Sequence, residues 1–151
     1  VGRADVFQAL HYGEGSDTWS ANPLSSAAVL ATLDEFENND VIARGQALSP
    51  IIEEGLLRLK TTGVIDRVRG EGCVWGIECA ACGSHEPEEV ANECVEACYL
   101  GDQQGRAIHL LGPLAGRVIR VSPPLTMQQD EVREYLDAMH GILASLRLRL
   151  K

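Results

Sequence analysis

Val64-Ile65-Asp66-Arg67-Val68-Arg69-Gly70-Glu71-Gly72-Cys73-Val74-Trp75-Gly76-Ile77-Glu78-Cys79 is the stretch where the texture of the chain changes. Upstream of it apolar residues recur at helical spacing. Within it, β-branched and aromatic residues gather in two short runs, 64–69 and 73–79, on either side of Gly70-Glu71-Gly72. Runs of that length with glycine punctuation read as two strands joined by a turn. A pair of strands flanked by long helical segments points to an α/β mixture rather than a helical bundle.

Working outward, Pro87 opens a helix with a buried stripe of Val90, Cys94 and Cys98 that ends near Gly101. Two further short strands are expected at 107–111 and 118–122, joined by Gly112-Pro113-Leu114-Ala115-Gly116, with Pro123-Pro124 stopping the second. The last helix has Thr126 and Gln129 as a capping-box pair. Its stripe of Val132, Leu136, Met139, Leu143, Leu146 and Leu150 should pack on the sheet. Toward the N-terminus, Asn22 is a good N-cap and Pro23 suits the first helical position, where its missing N–H costs nothing. Leu24, Ala27, Ala28, Leu30, Ala31, Leu33 and Phe36 follow before the interruption at Asn38-Asn39-Asp40. Helical periodicity resumes from Val41 to Leu59 and ends at Thr62-Gly63. Pro50 falls inside that pattern and predicts a kink, or a fresh start with Ser49 as cap. The resulting order is helices, then strand-strand-helix-strand-strand-helix, with a small sheet covered on one face.

The chain has 151 residues, 45% hydrophobic and 23% charged, which fits a globular protein and excludes a disordered one. No apolar run approaches the length of a membrane-spanning helix. A formal net charge of −9 disfavours nucleic acid as a partner, and the Lys and Arg residues are scattered along the sequence. Five cysteines with no secretory signal favour a reducing compartment, the cytoplasm, and free thiols.

Cys79, Cys82, Cys94 and Cys98 could supply four thiolates to a zinc ion, giving a zinc-stabilised or interaction module as one alternative. The competing reading is buried thiols: Cys94 and Cys98 lie on an apolar helical stripe, where free cysteine acts as a small hydrophobe. The loop 13–22 offers small residues, hydroxyls and free backbone ahead of a helix, a setting suited to an anion. Arg120 stands in an apolar strand just before Pro123-Pro124. Its planar fork suits a carboxylate, against the plainer reading of a strand arginine facing water.

Three stretches together resemble the class III pyridoxal-phosphate aminotransferases, which include enzymes acting on 4-aminobutyrate, ornithine and diaminobutyrate. Thr18-Trp19-Ser20-Ala21-Asn22-Pro23-Leu24 is similar to the family's Thr-aromatic-small-small-Asn-Pro-Leu run. The stretch 68–78 is similar to its Arg-Gly-x-Gly-hydrophobic-x-x-Gly-Ile-Glu strand pair, and 118–126 to its Arg-x-x-Pro-Pro-Leu signature. The resemblance implies the C-terminal small α/β domain of the fold type I architecture, preceded by a long connecting helix. Residues 1–22 would end the large domain with its phosphate loop, 23–62 would form the connecting helical segment, and 63–151 the small domain. It further implies transfer of an amino group between an amino acid and a 2-oxo acid through pyridoxal phosphate, in a homodimer. In that scheme Thr18, with Asp17 beside it, contacts the cofactor phosphate of the neighbouring subunit, and Arg120 holds the substrate carboxylate. The family's cofactor-bearing lysine is expected further upstream of the threonine than the 17 residues preceding Thr18, so this chain by itself is expected to be inactive.

Overall fold

The computed structural model describes residues 3–15, 18–19, 22–113 and 115–151. The chain divides into two compact units, Val1–Asp40 and Val41–Lys151.

The first unit holds a short helix, α1 (Ala4–Phe7), and a longer one, α2 (Pro23–Asn38). The start of α2 is the expected one. Asn22 Oδ1 accepts hydrogen bonds from the backbone N–H groups of Leu24, at 2.9 Å, and Ser25, at 3.3 Å. Pro23 occupies the first helical position. None of the residues of α2 is buried, and Leu24, Leu30, Leu33 and Phe36 are all exposed.

The second unit begins with α3 (Val41–Arg58) and a 3-10 turn, Leu59–Thr62, which Gly63 closes in the left-handed conformation. Then come β1 (Ile65–Glu71), β2 (Val74–Cys79), α4 (Pro87–Leu100), β3 (Val118–Val121) and α5 (Gln129–Arg149). The three strands pair antiparallel in the order β1-β2-β3. Alternation along them sends Ile65, Trp75, Ile77, Cys79, Ile119 and Val121 into the core, and Arg67, Arg69, Glu71, Val74 and Arg120 into water. The sheet is thus covered on one face. Gly72, at φ +61°, makes the turn between β1 and β2.

Several local expectations are corrected. α3 runs unbroken through Pro50, with no fresh start at Ser49. Pro50 deprives the carbonyl four residues back, that of Gln46, of its helical donor. Both residues are exposed, so water can take that donor's place. Residues 107–111 form no strand. Their backbone is tied to the end of α4 instead, with the Ile108 N–H donating to the Cys98 carbonyl at 2.8 Å. The preceding turn is held by Asp102, whose carboxylate accepts from the backbone N–H groups of Gln104 and Arg106 and from the Arg106 guanidinium. The capping box of α5 is Gln128 with Glu131, not Thr126 with Gln129: the Gln128 N–H donates to Glu131 Oε2 at 2.9 Å. α4 has a box as well, Glu86 with Glu89, beside the expected Pro87. α5 packs chiefly against α3 and α4, while α3 and α4 make the closer approaches to the strands.

Gly55 marks where α3 and α5 come closest. A Cβ there would lie 2.5 Å from Leu136 Cδ1 and 3.0 Å from its Cβ. Two effects compete in Gly55→Ala. Helix propensity favours alanine by about 1 kcal/mol, whereas forcing α5 outward costs about 1–3 kcal/mol. Because Leu136 Cβ and Cγ are both too close, rotation of one methyl cannot relieve the clash. Gly55→Ala should therefore lower stability by up to about 2 kcal/mol, seen as an earlier urea midpoint with an unchanged slope.

Candidate functional site

Arg120 is placed by the pairing of β3 with β2. Gly76 is its direct partner, and Arg69 on β1 is the partner of Gly76 on the other side. Paired residues share a face, so Arg69, Gly76 and Arg120 form one row across the outer face of the sheet. Both arginines are exposed. Among the described residues neither guanidinium makes a hydrogen bond or an ion pair.

The next row contains Arg67 and Glu78, paired across β1 and β2, with Val118 beyond. Glu78 is 8% exposed, and its carboxylate is paired with Arg117. Four of the eleven arginines in an acidic chain thus meet on this small sheet. The sequence scatters them, and only strand pairing brings them together. A cavity of about 450 Å³ also borders Arg120, lined largely by apolar side chains that include Ile108, Leu110, Met127, Leu136 and Met139. That volume is in the range of small-molecule sites.

Thr18 lies in the first unit, exposed, in the turn region ahead of α2. The N–H groups of Leu24 and Ser25 in the first turn of α2 are already taken by Asn22, so an anion there would depend on the Thr18 hydroxyl and the loop backbone. Asp17 lies outside the described residues.

Cys79, Cys82, Cys94 and Cys98 are free thiols buried in the core of the second unit. Cys82 and His85 close a tight turn by exchanging two backbone hydrogen bonds of 3.0 Å, and the Arg147 guanidinium donates to the Cys82 sulfur. Among the described residues no group of three or more His, Cys, Asp or Glu side chains is arranged to hold a metal ion, and nothing supports the zinc alternative. The thiols behave as small hydrophobes. A hydrogen bond with Cys79, together with burial, pushes the Cys94 thiol far up, and burial pushes Cys98 up to about 12.

Against known proteins, the family model for class III aminotransferases matches residues 1–143. The 4-aminobutyrate aminotransferase of Mycobacterium leprae is 34% identical over 144 residues, covering 95% of this chain and 32% of that protein. The leucine/methionine racemase of Thermococcus litoralis is 27% identical over 147 residues, 97% of this chain and 32% of the racemase. Among solved structures, the ornithine aminotransferase of Toxoplasma gondii superposes with a TM-score of 0.73 at 24% identity, covering 98% of this chain and 33% of that one. The chain belongs to the class III aminotransferase family and spans about a third of the length of the relatives it matches. Its α/β fold is that of the corresponding part of the solved transaminases. Among the described residues no helix is long and apolar enough to cross a membrane.

The raised thiols set a pH dependence with a definite sign. An unfolded thiol titrates near 9, whereas Cys98 in the fold keeps its proton to about 12. Below about pH 9 both states are protonated and the stability is fully present. Above it, the unfolded chain loses a proton that the folded chain retains, and stability falls by about 1.4 kcal/mol per pH unit for each such thiol. Urea midpoints should be flat up to about pH 9 and then decline, and Cys98→Ala should make that decline shallower.

Proposed function

We propose that this chain is part of an enzyme that moves an amino group between an amino acid and a 2-oxo acid with pyridoxal phosphate, in a cytoplasmic homodimer. The observation that carries the reading is Arg120. It is an exposed guanidinium without an ion pair or hydrogen bond among the described residues, in a chain of class III aminotransferase sequence. A planar fork of that kind receives a carboxylate through two parallel hydrogen bonds. Two bonds fix orientation as well as affinity, which holds the amine of the substrate in one place relative to the reacting centre.

The residues present fit one end of the cofactor. Thr18 offers an exposed hydroxyl that would donate to a phosphate oxygen of the neighbouring subunit's cofactor, and Asp17 is assigned to the same loop. When bound, the cofactor supplies the electron sink for bond breaking at the amino-bearing carbon. The covalent attachment of the cofactor is assigned to a lysine outside this chain. Lys60 lies within the 3-10 turn and Lys151 is the last residue, and both belong to the unit that does not carry Thr18. The chain alone is accordingly assigned no activity. The exposed apolar side chains of α2 would be covered by the rest of the protein or by the second subunit.

Two measurements on the full-length protein test this. With a panel of amino-acid donors and a 2-oxo acid acceptor, the wild type should form the new amino acid. Inversion of the donor without transfer would select the racemase-like reading instead. Arg120→Ala should cost carboxylate-bearing donors about 2–5 kcal/mol in kcat/KM, and an unchanged value would return Arg120 to the role of a surface arginine. For the phosphate contact, Thr18→Val should weaken cofactor retention about tenfold, followed by absorbance during dialysis, while Thr18→Ser keeps it near wild type.

A further inference from the structure

We propose that Arg69 is the second guanidinium of the carboxylate site, acting across Gly76 from Arg120; this rests on the reading of Arg120 given above. The register fixes the geometry. Arg69 pairs with Gly76 and Gly76 with Arg120, so the two arginines face the same side from the two outer strands of the sheet. At the usual strand spacing their Cα atoms are about 10 Å apart. The residue between them has no side chain, which leaves a gap over β2 that two long side chains can reach from opposite sides.

The Arg69 stem already leans over that gap. A Cβ built on Gly76 would lie 3.9 Å from Arg69 Cγ and 3.2 Å from Val118 Cγ1. Among the described residues neither cation has an ion-pair partner, and the acid nearest to Arg69 in register is Glu71, two residues along the same face of β1. Glu78 on the neighbouring row is engaged by Arg117, and Arg67 faces it across β1 and β2. Glu71, at the far end of β1, pairs in register with Val74, one row further from Arg120. Two guanidiniums that reach toward one another repel, and an anion received between them relieves that repulsion while accepting charge-assisted hydrogen bonds from both.

A carboxylate is the anion committed to here. A single arginine on a strand can meet it from only one side, so the second guanidinium fixes the direction from which it enters. A strand arginine with no such role would be interchangeable with Arg67, which lies two residues away on the same face and is equally exposed. Arg67 is therefore the internal control for the general field of the surface.

The test is a titration of the full chain with glutarate, a carboxylate probe carrying neither amino nor oxo group, followed through the arginine Nε–Hε resonances by NMR. The expected result is saturable movement of the Arg69 and Arg120 signals with one shared affinity. Arg69→Gln and Arg120→Gln should each weaken binding about tenfold. Arg69→Lys, which keeps the charge and loses the fork, should fall between. Arg67→Gln should leave the affinity within about twofold. If Arg69→Gln binds like Arg67→Gln while Arg120→Gln has lost affinity, the role of Arg69 is overturned and that of Arg120 stands. If Arg120→Gln binds like the wild type, or if no signal saturates, both readings fall together.

Discussion

The register of β2 between β1 and β3 is the constraint on which the second unit depends. It pairs Ile77 with Ile119 and Trp75 with Val121 toward the core, and in the same stroke pairs Gly76 with Arg120 toward water. Because side chains alternate with period two, slipping β3 by one residue would exchange these faces. Ile119 and Val121 would lose burial worth about 1.5–3 kcal/mol each. Arg120 would enter an apolar interior with no partner, at a cost of several kcal/mol more. A strand of only four residues is thus held in one register by the contrast between its own neighbours, and the same contrast aims the arginine outward.

Behind the sheet, the core that holds the strands is built almost wholly from apolar side chains and thiols. Cys79, Cys94 and Cys98 fill the space between β2 and α4 as small side chains, and Val90, Leu143 and Leu146 complete the layer. Each of the two helices that close this layer begins with a capping box: Glu86 and Glu89 for α4, and Gln128 and Glu131 for α5. The close approach at Gly55 lets α3 share the same interior, because a side chain there would occupy the space of Leu136. The outer face can therefore remain polar without weakening the inner one.

The elements legible in the sequence were those fixed by local chemistry. Asn22-Pro23 has one sensible use, as a cap and first helical residue, and the structure uses it that way. The two runs around Gly70-Glu71-Gly72 are paired strands, longer or shorter by one or two residues than expected. The stripe of Val90, Cys94 and Cys98 is buried as its spacing requires. What could not be read locally depended on neighbours distant in sequence. Residues 107–111 form a short apolar run that reads as a strand, but such a run says nothing about whether an edge is available to pair with, and α4 takes the Ile108 N–H instead. Thr126 with Gln129 and Gln128 with Glu131 both have capping-box spacing, and only the path of the chain chooses between them. The row of Arg69, Gly76 and Arg120 is the clearest case. Its outer members are 51 positions apart, so no window along the sequence contains both with their register.

That face also holds one arginine committed to an ion pair and others left without one among the described residues. Glu78 is nearly buried, and a carboxylate removed from water needs a cation close by or it costs the fold several kcal/mol. Arg117 meets that need from the residue just before β3, and it is thereby committed. Arg120 is two residues beyond Val118, the cross-strand partner of Glu78, so it falls one row on along the same face, in register with a glycine instead of an acid. Had residue 76 been acidic, Arg120 would have been neutralised within the sheet. Glycine at that place keeps the charge unspent, and the ion pair one row away keeps the sheet intact while it does so.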